Sequence, residues 1–179
     1  MECTGLTIFN IDTYEPMHIT SIKTKDKDTH GKRLNQIKIE IQKLLDKYPP
    51  YEIAIERGFS RFNTSTQVVY RVHGVINEMF KDYKQVYYPP KKVKEAITKG
   101  DATKKQVREE IRKHYPDIEF SKIEVKDKKT KEIRIEENED ESDSFAVGLT
   151  HLINECGMQW IKSSSNKSKI SKSKKKENV

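Results

Sequence analysis

Apolar positions along the chain switch between a period of two and a period near 3.6, and the switches mark alternating strands and helices. Leu6–Asn10 and His18–Lys23 read as short strands, followed by a polar, charged turn over 24–31. Leu34, Ile37, Ile41, Leu44 and Leu45 recur at helical spacing and predict a helix over Lys32–Tyr48, stopped by Pro49 and Pro50. In Tyr51–Glu56, Ile53 and Ile55 alternate with Glu52 and Ala54, which predicts a strand with Glu56 at its C-terminal end. Gly58–Asn63 reads as a loop. Thr64 or Ser65 can cap a long helix running to Lys81, with Val68, Val69, Val72, Val75, Ile76, Met79 and Phe80 on its apolar face.

The second half continues the alternation. Gln85–Tyr88 is strand-like and ends at Pro89-Pro90. Lys91–Thr98 reads as a short basic helix broken by Gly100 and Asp101, and Thr103 is placed to cap a helix reaching about His114. Within Phe120–Glu136, Ile123 and Val125 precede a polar Lys-Asp-Lys-Lys-Thr-Lys turn and Ile133 and Ile135 follow it, the pattern of a β-hairpin. Asp143–Cys156 is the last helix, with Phe145, Leu149, Leu152 and Ile153 inward and Gly157 placed as its C-cap. The order implies an α/β fold, a mixed sheet flanked by helices.

Composition narrows this. With 179 residues, 34% of them apolar, the chain suits one domain over 1–161. The formal charge of +7 is concentrated at one end. Residues 162–179 hold seven lysines and one acid, a Lys/Ser-rich tail that we expect to be disordered and able to bind phosphates non-specifically; the bland alternative is a solubilising tail. Cys3 and Cys156 lack metal-type spacing and imply no disulfide framework. No apolar run approaches the roughly 20 residues that cross a bilayer, and Met1–Asn10 lacks a signal-peptide pattern. A cytoplasmic location, in a bacterium or an infected host cell, and no membrane partner are the expectation.

Three carboxylates stand where a strand end and a helix start can converge: Glu56, and Asp140 with Asp143 at i, i+3 spacing on one helix face. Magnesium or manganese takes such oxygen ligands together with phosphate and water. On its own this signal is weak. Six of the eight residues in 136–143 are acidic, and such a run is ordinarily a solvated loop favoured by the helix dipole. His151, eight residues after Asp143, reads better as a structural histidine than as a further ligand.

Four stretches, in the right order, resemble the RuvC-like Holliday junction resolvases, the crossover junction endodeoxyribonucleases. Thr4-Gly5-Leu6-Thr7-Ile8-Phe9 resembles the family's second strand. Ala54-Ile55-Glu56-Arg57-Gly58-Phe59 resembles the segment with the second catalytic carboxylate. Val93-Lys94 and Asp101-Ala102-Thr103-Lys104-Lys105-Gln106-Val107 resemble its basic segment, and 140–151 resembles its closing Asp-x-x-Asp helix. The likeness covers roughly residues 4–157. It implies an RNase H-like fold and an Mg2+-dependent (or Mn2+-dependent) nuclease with Glu56, Asp140 and Asp143 as catalytic metal ligands. It further implies Lys94 and Lys104, or its neighbour Lys105, on the DNA, and Phe59 stacked on an unpaired base. The implied partners are four-way and branched DNA and a second copy of the chain, paired through the 64–81 helix.

One departure stands out. The family's first catalytic aspartate lies six residues before the Thr of the Thr-Gly pair, which here falls before Met1. The resemblance therefore implies a missing first strand and a sheet reduced to about four strands plus an inserted hairpin. A start codon assigned too far downstream explains this better than a truncated, inactive form, and the chain as given is expected to fold poorly or fail to cleave. The hairpin suggests a viral or phage-type resolvase. The rival reading is a catalytically inactive branched-DNA-binding protein of the same fold; a nuclease for structured RNA is a third.

Overall fold

The structure, a computed structural model, describes residues 3–58, 63–127 and 130–163. Its elements are β1 (Cys3–Phe9), β2 (Pro16–Lys23), α1 (His30–Lys47), β3 (Glu52–Glu56), α2 (Asn63–Met79), β4 (Lys84–Tyr88), α3 (Pro90–Ile97), α4 (Lys104–His114), β5 (Lys122–Lys126), β6 (Ile133–Glu137) and α5 (Glu139–Glu155). Phe59 and the tail beyond Ser163 lie outside the described residues. Among the described residues no helix is long and apolar enough to cross a membrane.

Caps decide where the helices begin. Thr29 accepts from the Lys32 N–H, so α1 starts two residues earlier than its apolar stripe predicts, and buries Arg33, Ile37 and Ile41 at four-residue spacing. Thr103 and Gln106 form the capping box of α4. The Asn138 side chain accepts from the Asp140 N–H, so α5 begins at Glu139, four residues before the pattern predicts. At its far end Gly157 takes φ +77°, and the Met158 N–H reaches back to the Leu152 carbonyl, as a left-handed helix terminus requires.

The strands form three two-stranded ladders. β1 and β2 are antiparallel, with Leu6 opposite Thr20. β3 and β4 are parallel, running from Glu52 opposite Lys84 to Glu56 opposite Tyr88. β5 and β6 form the expected hairpin, with Lys122 opposite Glu137. The first two ladders supply the mixed strand directions that the sequence implies. No hydrogen-bonded ladder joins them among the described residues; α5 packs against strands of both.

Alternation along β3 splits its side chains between two cores. Ile53 and Ile55 join Leu6, Ile22, Ile37, Ile41, Ile76 and Phe80 under α1 and α2. Ala54, with Val86 and Tyr88 of β4, faces the larger core around Phe145, Leu149, Ile97 and Ile111 under α3, α4 and α5. Strands covered on both faces by helices are the three-layer α/β solution. The hairpin lies outside both cores, with Ile133 and Ile135 63% and 72% exposed.

Beyond α5 the chain turns back as a strap over α3 and α4. Trp160 donates its indole N–H to the Ile97 carbonyl at 3.0 Å, and its ring lies 3.9 Å from that of His114. The Ser163 N–H donates to Glu110, itself almost fully buried.

Candidate functional site

The start of α5 is fastened from three sides. Asn138, fully buried, donates from Nδ2 to Ser21 Oγ (2.7 Å) and to Glu141 Oε1 (3.2 Å). The Glu141 carboxylate also accepts from Ser21 Oγ (3.0 Å), Ser121 Oγ (2.7 Å) and the Ser121 N–H (2.7 Å). This knot joins α5 to β2 and to the residue just before β5. On the third side β1 presses in: a Cβ on Gly5 would stand 1.8 Å from the Asp140 carbonyl oxygen, so only glycine permits the approach. Thr7 and Ser144 share a 2.8 Å hydroxyl hydrogen bond close by. The consequence is a rigid first turn that carries Asp140 and Asp143 at a helix N-terminus, where the dipole favours negative charge.

Glu56 ends β3 opposite Tyr88, and the Arg57 N–H donates to the Tyr88 carbonyl at 2.8 Å, closing the strand end. Glu56 stays open to solvent. Crowding by the surrounding protein, then the charge of Asp143 and more weakly that of Asp140, hold its carboxyl above the usual range, against the pull of Lys104 and Lys94. Burial likewise raises Asp143, helped by Glu139 and Asp140, although Lys104 opposes the rise. Lys104 donates to Asp143 Oδ2 at 2.7 Å and to Glu139 Oε2 at 3.0 Å. Burial disfavours its charge, but these two hydrogen bonds prevail and push its pKa up to about 12.

Sequence reasoning named Glu56, Asp140, Asp143, Lys94 and Lys104, and the structure gathers these five within electrostatic reach of one another. Lys105 is not among them: it is largely exposed and lies 3.9 Å from Glu109. His151 faces elsewhere, with Nδ1 2.9 Å from the Tyr88 hydroxyl and Nε2 2.9 Å from Glu52 Oε2. Two neighbours were not anticipated. Glu139 shares Lys104 with Asp143, and Cys3, whose thiol is pushed up by burial and by a hydrogen bond to Asp140, stands beside the acidic pair. The position of Cys3 immediately before Thr4-Gly5-Leu6, on a strand facing α5, offers a signal only once that packing is known.

The donor set is all oxygen and negatively charged, which suits a hard divalent cation, and the raised carboxyls of Glu56 and Asp143 mark a charge excess that such an ion relieves. The side chains are not at ligand spacing as they stand. Among the described residues no three acids, histidines or cysteines meet closely enough to hold an ion, and the Lys104 ammonium takes up Asp143. In chemical type the residues fit the ion; in position they need side-chain rotation.

Comparison with known proteins points one way. The model of the crossover junction endodeoxyribonuclease RuvC family matches residues 2–151. The crossover junction endodeoxyribonuclease RuvC of Alkaliphilus metalliredigens (strain QYMF) is 32% identical over 112 residues, 60% of this chain and 68% of that protein. The protein of the same name from Orientia tsutsugamushi (strain Boryong) is 28% identical over 158 residues, 85% of this chain and 89% of that one. Among solved structures, Thermus thermophilus RuvC in complex with Holliday junction substrate aligns with a TM-score of 0.62 at 20% identity, covering 82% of this chain and 83% of that one. A second structure of Thermus thermophilus RuvC aligns with a TM-score of 0.56 at 21% identity, covering 76% of this chain and 75% of that one. At those identities the likeness establishes the fold, RNase H-like as expected.

Proposed function

This chain belongs to the crossover junction endodeoxyribonuclease RuvC family, and from that membership we propose that it cuts four-way and other branched DNA at the carboxylate cluster of Glu56, Asp140 and Asp143. The observation that carries the reading is the approach of a strand-end glutamate to two helix-start aspartates, close enough that their charges add to the effect of burial in raising the carboxyl of Glu56. These three would hold Mg2+, or Mn2+ in its place. Ions bound there supply activation of water and stabilisation of the leaving oxygen in phosphodiester hydrolysis.

The remaining residues divide the work of placing DNA. Lys94 and Lys104 lie beside the acids and are suited to pair with the phosphates flanking the scissile bond. Lys104 would exchange its carboxylates for phosphate as cations take Asp143. Lys105, more exposed, and Phe59, next to the Glu56 strand end in sequence, extend the contact along the backbone and onto an unpaired base. The Lys-rich segment 162–179 adds sequence-independent attraction. Two copies paired through α2, where Tyr70 is 58% exposed, would present two sites to the two-fold symmetry of a junction.

The test compares the chain with Glu56→Gln and Asp143→Asn. Thermal unfolding would be followed with and without Mn2+, and incision of four-way, three-way and linear DNA with and without Mg2+. The parent should be stabilised by Mn2+, and incision, of branched DNA only, is expected of a version extended upstream to carry the family's first aspartate; both substitutions should abolish both responses yet keep junction binding. Junction binding indifferent to chelator, with no cation response in the parent, would instead identify a binding protein without metal chemistry.

A further inference from the structure

The two halves of the carboxylate cluster stand on different parts of the fold. Asp140 and Asp143 ride on α5, which is locked to β1 and β2. Glu56 rides on β3, whose ladder with β4 packs against α5. Apolar packing of Ala54 and Val86 into the core under α5 holds the ladder there. Such packing is non-directional and does not by itself set how far a strand pair is advanced along a helix.

A buried polar chain supplies the direction. The Tyr88 hydroxyl lies 2.9 Å from His151 Nδ1, and His151 Nε2 lies 2.9 Å from Glu52 Oε2, at ion-pair distance although not aligned as a hydrogen bond. Lys84 closes the outer end, 3.0 Å from Glu52 and 3.2 Å from Glu155. Tyr88 and His151 are each 6% exposed. One imidazole on α5 is thus gripped from both ends of the ladder, since Glu52 opens β3 and Tyr88 closes β4, four residues or about 13 Å further along. Burial pushes the Tyr88 phenol up to about 12, so it remains a neutral hydroxyl that can donate. The backbone of the same Tyr88 pairs with Glu56 and accepts from the Arg57 N–H. Side chain and main chain of one residue therefore connect α5 to the strand end that presents Glu56.

We propose that Tyr88 and His151 are positioning residues for the cation site: their contact sets the advance of Glu56 relative to Asp140 and Asp143. This rests on the metal reading above. Lys84 and the Glu52 end stabilise the ladder, whereas the Tyr88 end registers it.

The test is Mn2+ binding to the full chain, followed by electron paramagnetic resonance of free Mn2+ and by the Mn2+ concentration that half-saturates the rise in melting temperature. Four variants separate the ends: Tyr88→Phe, His151→Asn, which keeps a polar atom near the Nδ1 position, His151→Gln, which keeps one near Nε2, and Lys84→Met. Tyr88→Phe and His151→Gln should weaken Mn2+ binding five-fold or more. His151→Asn and Lys84→Met should leave it within two-fold of the parent, even where they lower the melting temperature as much. Cation affinities that follow the melting temperature across all four variants, or that do not change in Tyr88→Phe, overturn the proposal. A parent that binds no Mn2+ overturns the metal reading itself, a separate outcome.

Discussion

Replacing Gly5 with alanine puts a methyl group where two backbones already touch. The new Cβ would stand 1.8 Å from the Asp140 carbonyl oxygen and 2.4 Å from its carbon. Comfortable contact begins near 3.4 Å, so the first turn of α5 must retreat by roughly 1.5 Å. Little there can yield, because the Asn138–Glu141–Ser121 knot and the Thr7–Ser144 hydrogen bond hold the same turn. Overpacking of a core ordinarily costs about 1–3 kcal/mol, and an obstacle made of backbone on both sides places this substitution at or above the top of that range. Asp140 and Asp143 move with the turn. A misplacement of about 1 Å at a catalytic centre costs on the order of 100-fold in rate. Urea unfolding gives the stability, and Mn2+ stabilisation with Mg2+-dependent junction incision gives the site. Gly31→Ala is the control: its Cβ meets nothing within 4 Å, and a gain of about 0.4–1 kcal/mol is expected from a less flexible unfolded chain. A Gly5→Ala protein within about 0.5 kcal/mol of the parent, with an unchanged cation response, would refute the claim that β1 sets the seat of α5.

Lys94→Ala should weaken binding to junctions of every sequence alike and flatten the dependence of log K on log salt by about 0.9, the loss of one phosphate contact, measured by fluorescence anisotropy over a salt series. Glu137 is held below its usual pKa by its hydrogen bond to Arg112, against a smaller opposing effect of burial. A depressed carboxyl contributes stability above its unfolded pKa and loses it as pH falls through the folded one. Glu137→Gln should therefore cost up to about 1 kcal/mol at pH 7, as partly exposed pairs do. In urea titrations the difference should shrink steadily as pH falls below the ordinary glutamate range and through the depressed folded pKa; a gap that stays constant on acidification would remove Arg112 as the cause.

What the sequence makes legible is what local physics decides. Thr103 caps α4 because its hydroxyl and Gln106 are three residues apart. Glu56 ends a strand because Ile53 and Ile55 alternate and Gly58 follows. The acidic run 136–143 is different, for its members share a composition and not a fate. Glu141 is buried and accepts from serines 20 and 120 residues away, Glu139 shares Lys104, and Asn138 caps the helix. Nothing within the run distinguishes these roles, since the partners come from β2, α4 and the approach to β5. The same holds for Ile133 and Ile135: their alternation predicts a hairpin strand but not what covers it, and among the described residues their side chains meet solvent.

The strap that closes the described chain has a practical corollary. Trp160 is the single tryptophan of the sequence, and it is clasped between the end of α3 and the imidazole of His114. Ultraviolet emission from the unlabelled protein therefore reports from one known spot, where residues 157–163 fold back onto α3 and α4. Unbuckling would move that signal toward the colour of indole in water, so any event that tugs on the Lys-rich extension can be watched by its glow before a single strand is cut.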